Sequence, residues 1–595
     1  MKFWIQLCFS AVLLLVILPD TNAQVTKTPK HEFRAAWIAT VYGLDWPQQG
    51  AGESQQKGDL RQLLDHLQNA GINAVIFQVR SIGDAMYESN YEPWSHYLTG
   101  RQGRDPGYDP LAFVIEESHS RGMELHAWFN PYRVNNGTSF TPADNHVTVT
   151  HPEWTYKAGP LTLLDPGKED VRNYVVSIIM DVARRYNIDG VHFDDYFYPY
   201  PPNQITTQDS QTFQTESRGF MSLFDWRRDN VNLLVAQIAD SLRSFDSAIK
   251  FGISPFGIWK NNVPRGIRGL DAYSVIYADA TAWIRQKTID YLAPQLYWPF
   301  GGAQAYEKLA PWWADQIDDR HLYPGHGLYR TEASSPISPM EIPNQVAFSR
   351  DYWGIHGSIF FRARHIAPGR GGNFAQTMRD GLYQYPALTP SMDWKDQTVP
   401  AAPLNLVASQ DGGAILLKWD PPDEAPARYA VYRVRSELEP DVTTAAQDAR
   451  NLIAIAGKTT VIDIPSADAG KHWYFVQSVS SNSIESDPSN AVVSPIQTGR
   501  DPELAGQGLS MVVYPTVFEQ QAQVEYTLQE PGTVTLQVVD VIGRSRVMLI
   551  RDEYRQPGQH ALTINASEYA LANGVYWLVL WKDNQQIVRR FMLAQ

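Results

Sequence analysis

Between about Glu32 and Pro386 the chain alternates short β-branched or aromatic runs with longer amphipathic stretches, and this alternation limits the folds open to it. The short runs are Phe33–Thr40, Ala74–Arg80, Glu124–Asn130, Gly190–Asp195, Lys250–Pro255, Tyr291–Trp298, Leu322–Leu328 and Gly357–Arg362. Helical periodicity falls between them, as in Leu60–Gln68, Leu111–Ser120, Val171–Tyr186, Val231–Phe245 and Val346–Trp353. Eight strand candidates, most followed by a helix, predict an α/β fold: a (β/α)₈ TIM barrel over residues 31–386. The competing fold is a doubly wound open sheet. That fold wants a Gly-rich phosphate turn after its first strand, and Ala39-Thr40-Val41-Tyr42-Gly43 is not one.

The pattern changes after the Pro-rich stretch Thr398–Pro403. Over 403–494 short alternating strands take over, among them Ile415–Trp419, Tyr429–Val434 and Trp473–Val479, and they predict a β-sandwich. With its early Trp419 and its Tyr-x-Val-Tyr-Arg strand, this segment resembles a fibronectin type III module. A second small all-β sandwich is expected over 510–595. Its opening Tyr514-Pro515-Thr516-Val517-Phe518, its strand Val534–Val541 before Gly543-Arg544, and its closing runs Leu571–Trp577 and Val588–Leu593 resemble the C-terminal sorting domain of the type IX secretion system. Thr516 and Val517 depart from that family's Tyr-Pro-Asn-Pro-Phe opening. The resemblance implies secretion machinery as a partner.

The first residues point to export as well. Lys2, the apolar run Phe9–Leu18 and Thr21-Asn22-Ala23 read as a signal peptide over 1–23. Cys8, the single cysteine, falls inside it, so disulfides and cysteine-based nucleophiles or metal sites are not expected in the mature chain. No later stretch is apolar enough to span a bilayer. The formal charge of −14, without basic tracts, argues against a nucleic-acid partner. The 18 Trp and 30 Tyr suit a sugar ligand better, because flat aromatic faces stack on sugar rings.

The chemistry concentrates in Asp189-Gly190-Val191-His192-Phe193-Asp194-Asp195-Tyr196-Phe197-Tyr198-Pro199. This is the fourth strand by count, and barrel enzymes build their sites at the C-terminal ends of strands. Two adjacent carboxylates there raise each other's pKa and are costly without a function. Asp194 and Asp195 are therefore the candidate catalytic pair. Glycoside hydrolysis needs a protonated carboxyl for the leaving oxygen and a second group for the developing positive charge. Strand alternation places His192 and Asp194 on one face and Asp195 on the other, unless the strand ends first. Candidate substrate-binding groups near other strand ends are Arg34, Gln78, Arg80, Asn130, Tyr132, Arg133, His192, Tyr297 and Trp298. Arg362 and Arg364 lie near the eighth strand with either a binding or a structural role. His126, His192 and His326 lack metal-ligand spacing, and no Gly-x-Ser-x-Gly elbow suggests an esterase, so neither a metal nor another cofactor is expected.

The barrel resembles the glycosyl-hydrolase-like 10 family through Phe33–Ile38, Phe77–Arg80, His126–Arg133, Asp189–Pro199 and Pro294–Trp298. The resemblance implies hydrolysis of an N-acetylhexosamine polymer, with peptidoglycan glycan strands as the expected substrate. The Asp189–Tyr196 run also looks like a departed chitinase motif in which His192 and Tyr196 stand where an Asp and the catalytic Glu are found. An adjacent Asp pair resembles substrate-assisted N-acetylglucosaminidases, which implies Asp194 for the 2-acetamido group and Asp195 for the proton. The alternative is a catalytically silent barrel that binds glycans at the cell surface. The chain is expected at the cell surface or in the medium, with the periplasm as the alternative. Deleting everything after about Thr398 is expected to leave turnover intact.

Overall fold

The computed structural model describes residues 28–593 apart from 412–413, 464, 466–470, 495–508, 541–544, 570, 572–573 and 584. The signal read at 1–23 lies outside these residues, as do Gly543-Arg544 and Ala572-Asn573 of the C-terminal motifs.

Eight parallel strands form the barrel: β1 (Phe33–Ile38), β2 (Ala74–Arg80), β3 (Glu124–Phe129), β4 (Gly190–Phe193), β5 (Lys250–Ile253), β6 (Tyr291–Leu292), β7 and β8 (Gly357–Phe360). The seventh strand is built from two segments, His321–Leu322 and Gly325–His326. The first segment pairs with β6 and the second with β8, while β8 pairs with β1. The sheet is thereby closed, and an open doubly wound sheet is excluded. Pro294 and Pro324 explain why β6 and β7 are shorter than the apolar runs suggest. A proline has no N–H to give the ladder, so pairing there is reduced to single bridges such as Gln295 to Gly325.

A helix follows each strand, starting with α1 (Glu53–Asn69), α2 (Pro110–Ser120), α3 (Glu169–Arg185) and α4 (Leu223–Phe245). The first of these buries Leu60, Leu63, Leu64 and Leu67, the stripe that a 3.6-residue period lays against a barrel. Helix α3 carries Glu169 and Asp170 in its first turn and Arg184 and Arg185 in its last, each matching the helix dipole. The ring is completed by α5 (Ala280–Arg285), α6 (Tyr306–Gln316), α7 (Glu341–Ser349) and α8 (Phe374–Asp380). Helix α7 begins before the expected Val346–Trp353 stretch and stops at Ser349, because the chain turns through Gly354 at φ +93°.

The barrel interior is layered. Alternate residues of β3 climb from Glu124 at the floor through His126 to Trp128, and β4 contributes Gly190 and His192. A Cβ on Gly190 would lie 2.7 Å from the His126 ring, and one on Gly252 would lie 2.0 Å from the Tyr291 ring. Both glycines are what make room for polar rings in the core.

Two small all-β units follow. In the first, a three-stranded sheet faces a four-stranded one, and a single helical turn, Val442–Ala445, interrupts the strands. The second has sheets of three and five strands. No helix among the described residues is long and apolar enough to cross a membrane.

Candidate active site

Strand β4 ends at Phe193, two residues before the end of the Gly190–Asp195 run, and this decides the geometry. Asp194 continues the inward-facing row begun by His192. Asp195 lies past the last ladder bond, so strand alternation no longer turns it away from the mouth. The carboxylate of Asp194 accepts from Trp128 Nε1 (3.1 Å) and from Asn130 Nδ2 (3.0 Å), both from the end of β3. It also accepts from the backbone N–H of Tyr196 (3.3 Å). The Asp195 carboxylate accepts from the Tyr200 hydroxyl, and the side-chain amide of Gln295, beyond β6, donates to the Ser254 carbonyl oxygen (2.9 Å) close enough to favour the charged form of Asp195. Each aspartate is only 4% exposed.

Burial raises the pKa of both carboxyls, but their surroundings separate them. At Asp194 the nearby charge of Arg133 and the Asn130 and Trp128 donors oppose that rise. Asp195 is pushed up to about 7, first by burial and then by the Asp194 charge, with Tyr200 and Gln295 opposing. One carboxyl is thus braced by donors, and its neighbour titrates near neutrality. This is the division of labour that acid–base catalysis by a carboxyl pair requires.

Below the pair runs a polar chain. His192 has its pKa held well below the usual imidazole range, first by burial and then by His126, and is neutral. Its Nε2 accepts from Trp37 Nε1 (3.1 Å), so its proton sits on Nδ1 and is donated to the Tyr291 hydroxyl (2.9 Å). Tyr291 in turn donates to His126 Nδ1 (2.8 Å), and His126 Nε2 donates to Glu124 (3.1 Å). Every ring nitrogen is used within the barrel. His192 is therefore corrected from a substrate-binding residue to a support beneath the site.

Other sequence candidates divide in the same way. Asn130 and Arg133 are at the mouth, with Arg133 held 4.8 Å over the Tyr196 ring and its Nε donating to the Ser81 carbonyl oxygen (3.1 Å). Tyr297 stacks on Phe361 at 5.8 Å, and Trp298 meets Phe256 edge-on at 5.4 Å, forming a wall next to Tyr200. Gln78 faces the loop after β1, where its Oε1 accepts from the N–H groups of Thr40 (3.0 Å) and Val41 (2.9 Å).

Three further expectations are overturned. Arg34 is fully enclosed near the start of β1, paired with Glu32 at 2.7 Å and stacked on Tyr383. Arg80 is spent on Glu92 (2.7 Å) and on the Asn130 carbonyl oxygen, behind the site. Tyr132 is buried in the core, where the side chain cannot meet a substrate. Strand-end position alone does not say whether a side chain points to the mouth or to the layer between sheet and helices.

Sequence reasoning passed over Trp128, Gln295 and Tyr200 as individual site residues. Period-two counting from Asn130 back to Trp128, and from Tyr291 to Gln295, carries the signal for the first two. Asp45, in the loop after β1, is a buried carboxyl pushed up to about 6 by burial against the opposing charge of Arg362. It accepts from Ala39 N–H (2.8 Å) and Arg364 N–H (3.1 Å), so it ties the loops after β1 and β8 together. Arg362 and Arg364 are thereby engaged at the barrel rim.

Residues 32–340 match the family described as Glycosyl hydrolase-like 10. The chain is 39% identical over 474 residues to "Glycosyl hydrolase YngK" of Bacillus subtilis, covering 75% of this chain and 90% of that protein. It is 38% identical over 384 residues to "Glycosyl hydrolase DigH" of Escherichia coli, covering 58% and 86%. Among solved structures, the PgaB glycoside hydrolase domain from Bordetella bronchiseptica aligns with 56% of this chain and 94% of its own at 16% identity, with a TM-score of 0.37. The family match over the barrel, the breadth of the YngK and DigH matches and the carboxyl pair at the mouth of a closed barrel agree. The chain belongs to the glycosyl hydrolase-like 10 family.

Proposed function

We propose that the protein is an exported glycosidase that cleaves N-acetylhexosamine polymers, with peptidoglycan glycan strands as substrate. The observation that carries this reading is the contrast within one carboxyl pair. Asp195 titrates near neutrality and can hand a proton to the leaving oxygen. Asp194, fixed by Trp128 and Asn130, can orient a 2-acetamido group as the internal nucleophile or stabilise the positive centre. Arg133, Tyr196, Tyr297 and Trp298 provide the polar and aromatic rim that positions the sugars. The Tyr200 hydroxyl must let go of Asp195, or shift, as the substrate oxygen arrives.

The test is digestion of peptidoglycan with and without stem peptides, followed by mass analysis of the product ends. New reducing ends from the intact enzyme, absent with Asp195→Asn, support the reading. Full turnover by Asp195→Ala, with activity lost in Asp194→Ala, would sink the role division.

The remaining parts of the reading rest on sequence motifs. Export follows from residues 1–23, the middle sandwich is read as fibronectin type III-like, and the last unit as a type IX sorting domain. Deletion of 510–595 should then trap the protein in the periplasm, measured by cell fractionation. Release into the medium without that segment excludes the sorting role.

A further inference from the structure

Beside the catalytic mouth, the loops after β1, β2 and β3 enclose a cavity of about 1080 Å³ that the carboxyl pair does not use. Tyr42 lines the cavity and lies within electrostatic reach of Tyr196, the residue after Asp195. Tyr42 is 56% exposed and is held at φ +58°, the left-handed region that a non-glycine residue rarely adopts. Its hydroxyl donates to the Asn136 carbonyl oxygen (3.2 Å), which fixes an exposed ring edge-on against Tyr97 (6.4 Å).

Behind this ring the cavity wall is an aromatic stack. His96 lies parallel to Phe140 at 4.7 Å and 3.9 Å from the Tyr97 ring. His96 is 9% exposed, and its Nδ1 faces Asp84 at 3.4 Å. The opposite ring nitrogen, Nε2, is buried without a protein partner. Arg101 and Arg104, both exposed, line the same cavity, and neither forms an ion pair among the described residues. Asp144 is the single carboxylate in the lining, so the two arginines leave the cavity net positive in a chain of formal charge −14.

We propose that this cavity is a distal glycan subsite that takes a carboxylate-bearing sugar of the polymer, remote from the bond being cleaved. The proposal rests on the glycosidase reading above. Aromatic faces receive the sugar rings, and the arginine forks receive the carboxylate. A glycan lying from Asp195 over Tyr196 and Tyr42 into the cavity is held along its length, which favours cleavage within chains.

The test compares two polymers of similar backbone: peptidoglycan strands stripped of their stem peptides, which expose carboxylates, and neutral chitin oligosaccharides. Arg101→Ala/Arg104→Ala should raise KM on the stripped strands about tenfold or more with kcat held, and should leave chitin oligosaccharides unaffected. Tyr42→Ala should weaken both. Calorimetric binding of stripped-strand fragments to the Asp195→Asn protein, with and without the two arginines, separates the subsite from the activity. Turnover that is indifferent to the arginines overturns the subsite and leaves the glycosidase reading standing. Arginine-dependent binding without any turnover supports the subsite and overturns the glycosidase reading. Binding that ignores the arginines, or no binding at all, overturns the subsite.

Discussion

At Asp194 and Asp195, two neighbouring side chains of one chemical type are given different properties by what surrounds them. Asp195 has a raised pKa of about 7, so its proton is present below neutrality and is lost above it. Activity that needs this proton should fall on an alkaline limb near pH 7, read from the pH profile of kcat/KM. The Tyr200 hydroxyl favours the charged form of Asp195. Tyr200→Phe should therefore move the limb to higher pH, and an unmoved limb would mean that another group controls it. The same shift bears on stability. An unfolded chain releases the Asp195 proton near pH 4, whereas the folded chain holds it to about 7, so this residue costs stability increasingly as pH rises between those values. Asp195→Asn removes that penalty, and its Tm at pH 8 should exceed that of the parent while its turnover is lost by a factor of roughly 10² or more.

Strands β1, β3, β4 and β6 act together through the rings they carry into the barrel. The row Trp37, His192, Tyr291, His126 and Glu124 is one continuous hydrogen-bonded chain from the mouth to the floor. Removing its central hydroxyl leaves two buried imidazole nitrogens without partners. Tyr291→Phe should cost about 1–3 kcal/mol in denaturant unfolding, with no cavity of consequence because the ring is kept. Activity should fall less than in the aspartate variants, since the chain positions β4 and does not touch substrate. The strand register was legible in the sequence, because period two from Glu124 and Gly190 gives the inward rows. Which of those inward polar residues reach the mouth was not legible. That depends on where the ladder stops, one residue before Asp194, and on Pro294 and Pro324 cutting β6 and β7 short.

In the whole molecule the middle sandwich is built into the barrel floor. Arg428, from its third strand, pairs with Glu124 at 3.1 Å and with Asp189 at 3.4 Å. Glu124 is fully buried and also holds Lys250 (2.7 Å) and the Thr389 hydroxyl (2.6 Å), which in turn meets Ser483 of the sandwich. A buried carboxylate stripped of one partner is costly, so Arg428→Ala should lower stability by about 3 kcal/mol, measured by denaturant melting. The expectation that the chain could be cut after Thr398 without loss is revised accordingly: such a truncation should be insoluble or inactive. An active, soluble fragment ending there would show that the floor needs no partner. The last unit is tied less deeply, through Arg551 to Asp65 (2.9 Å) and Glu117 (3.0 Å), and its removal should leave turnover unchanged.

The sequence by itself determined the closed barrel, the order of its strands and helices, the two all-β units and the position of the carboxyl pair. Those features follow from local periodicity and from turn residues, which any stretch of chain carries with it. The tertiary structure decided the rest. It sent Arg34, Arg80 and Tyr132 away from the mouth and recruited Trp128, Gln295 and Tyr200 to it. It also gave Asp195 a pKa near neutrality and placed Arg428 beneath the barrel. Each of these depends on contacts between residues far apart in the chain and on the burial those contacts create; local period two marks the inward rows of Trp128 and Gln295 but does not say what they meet.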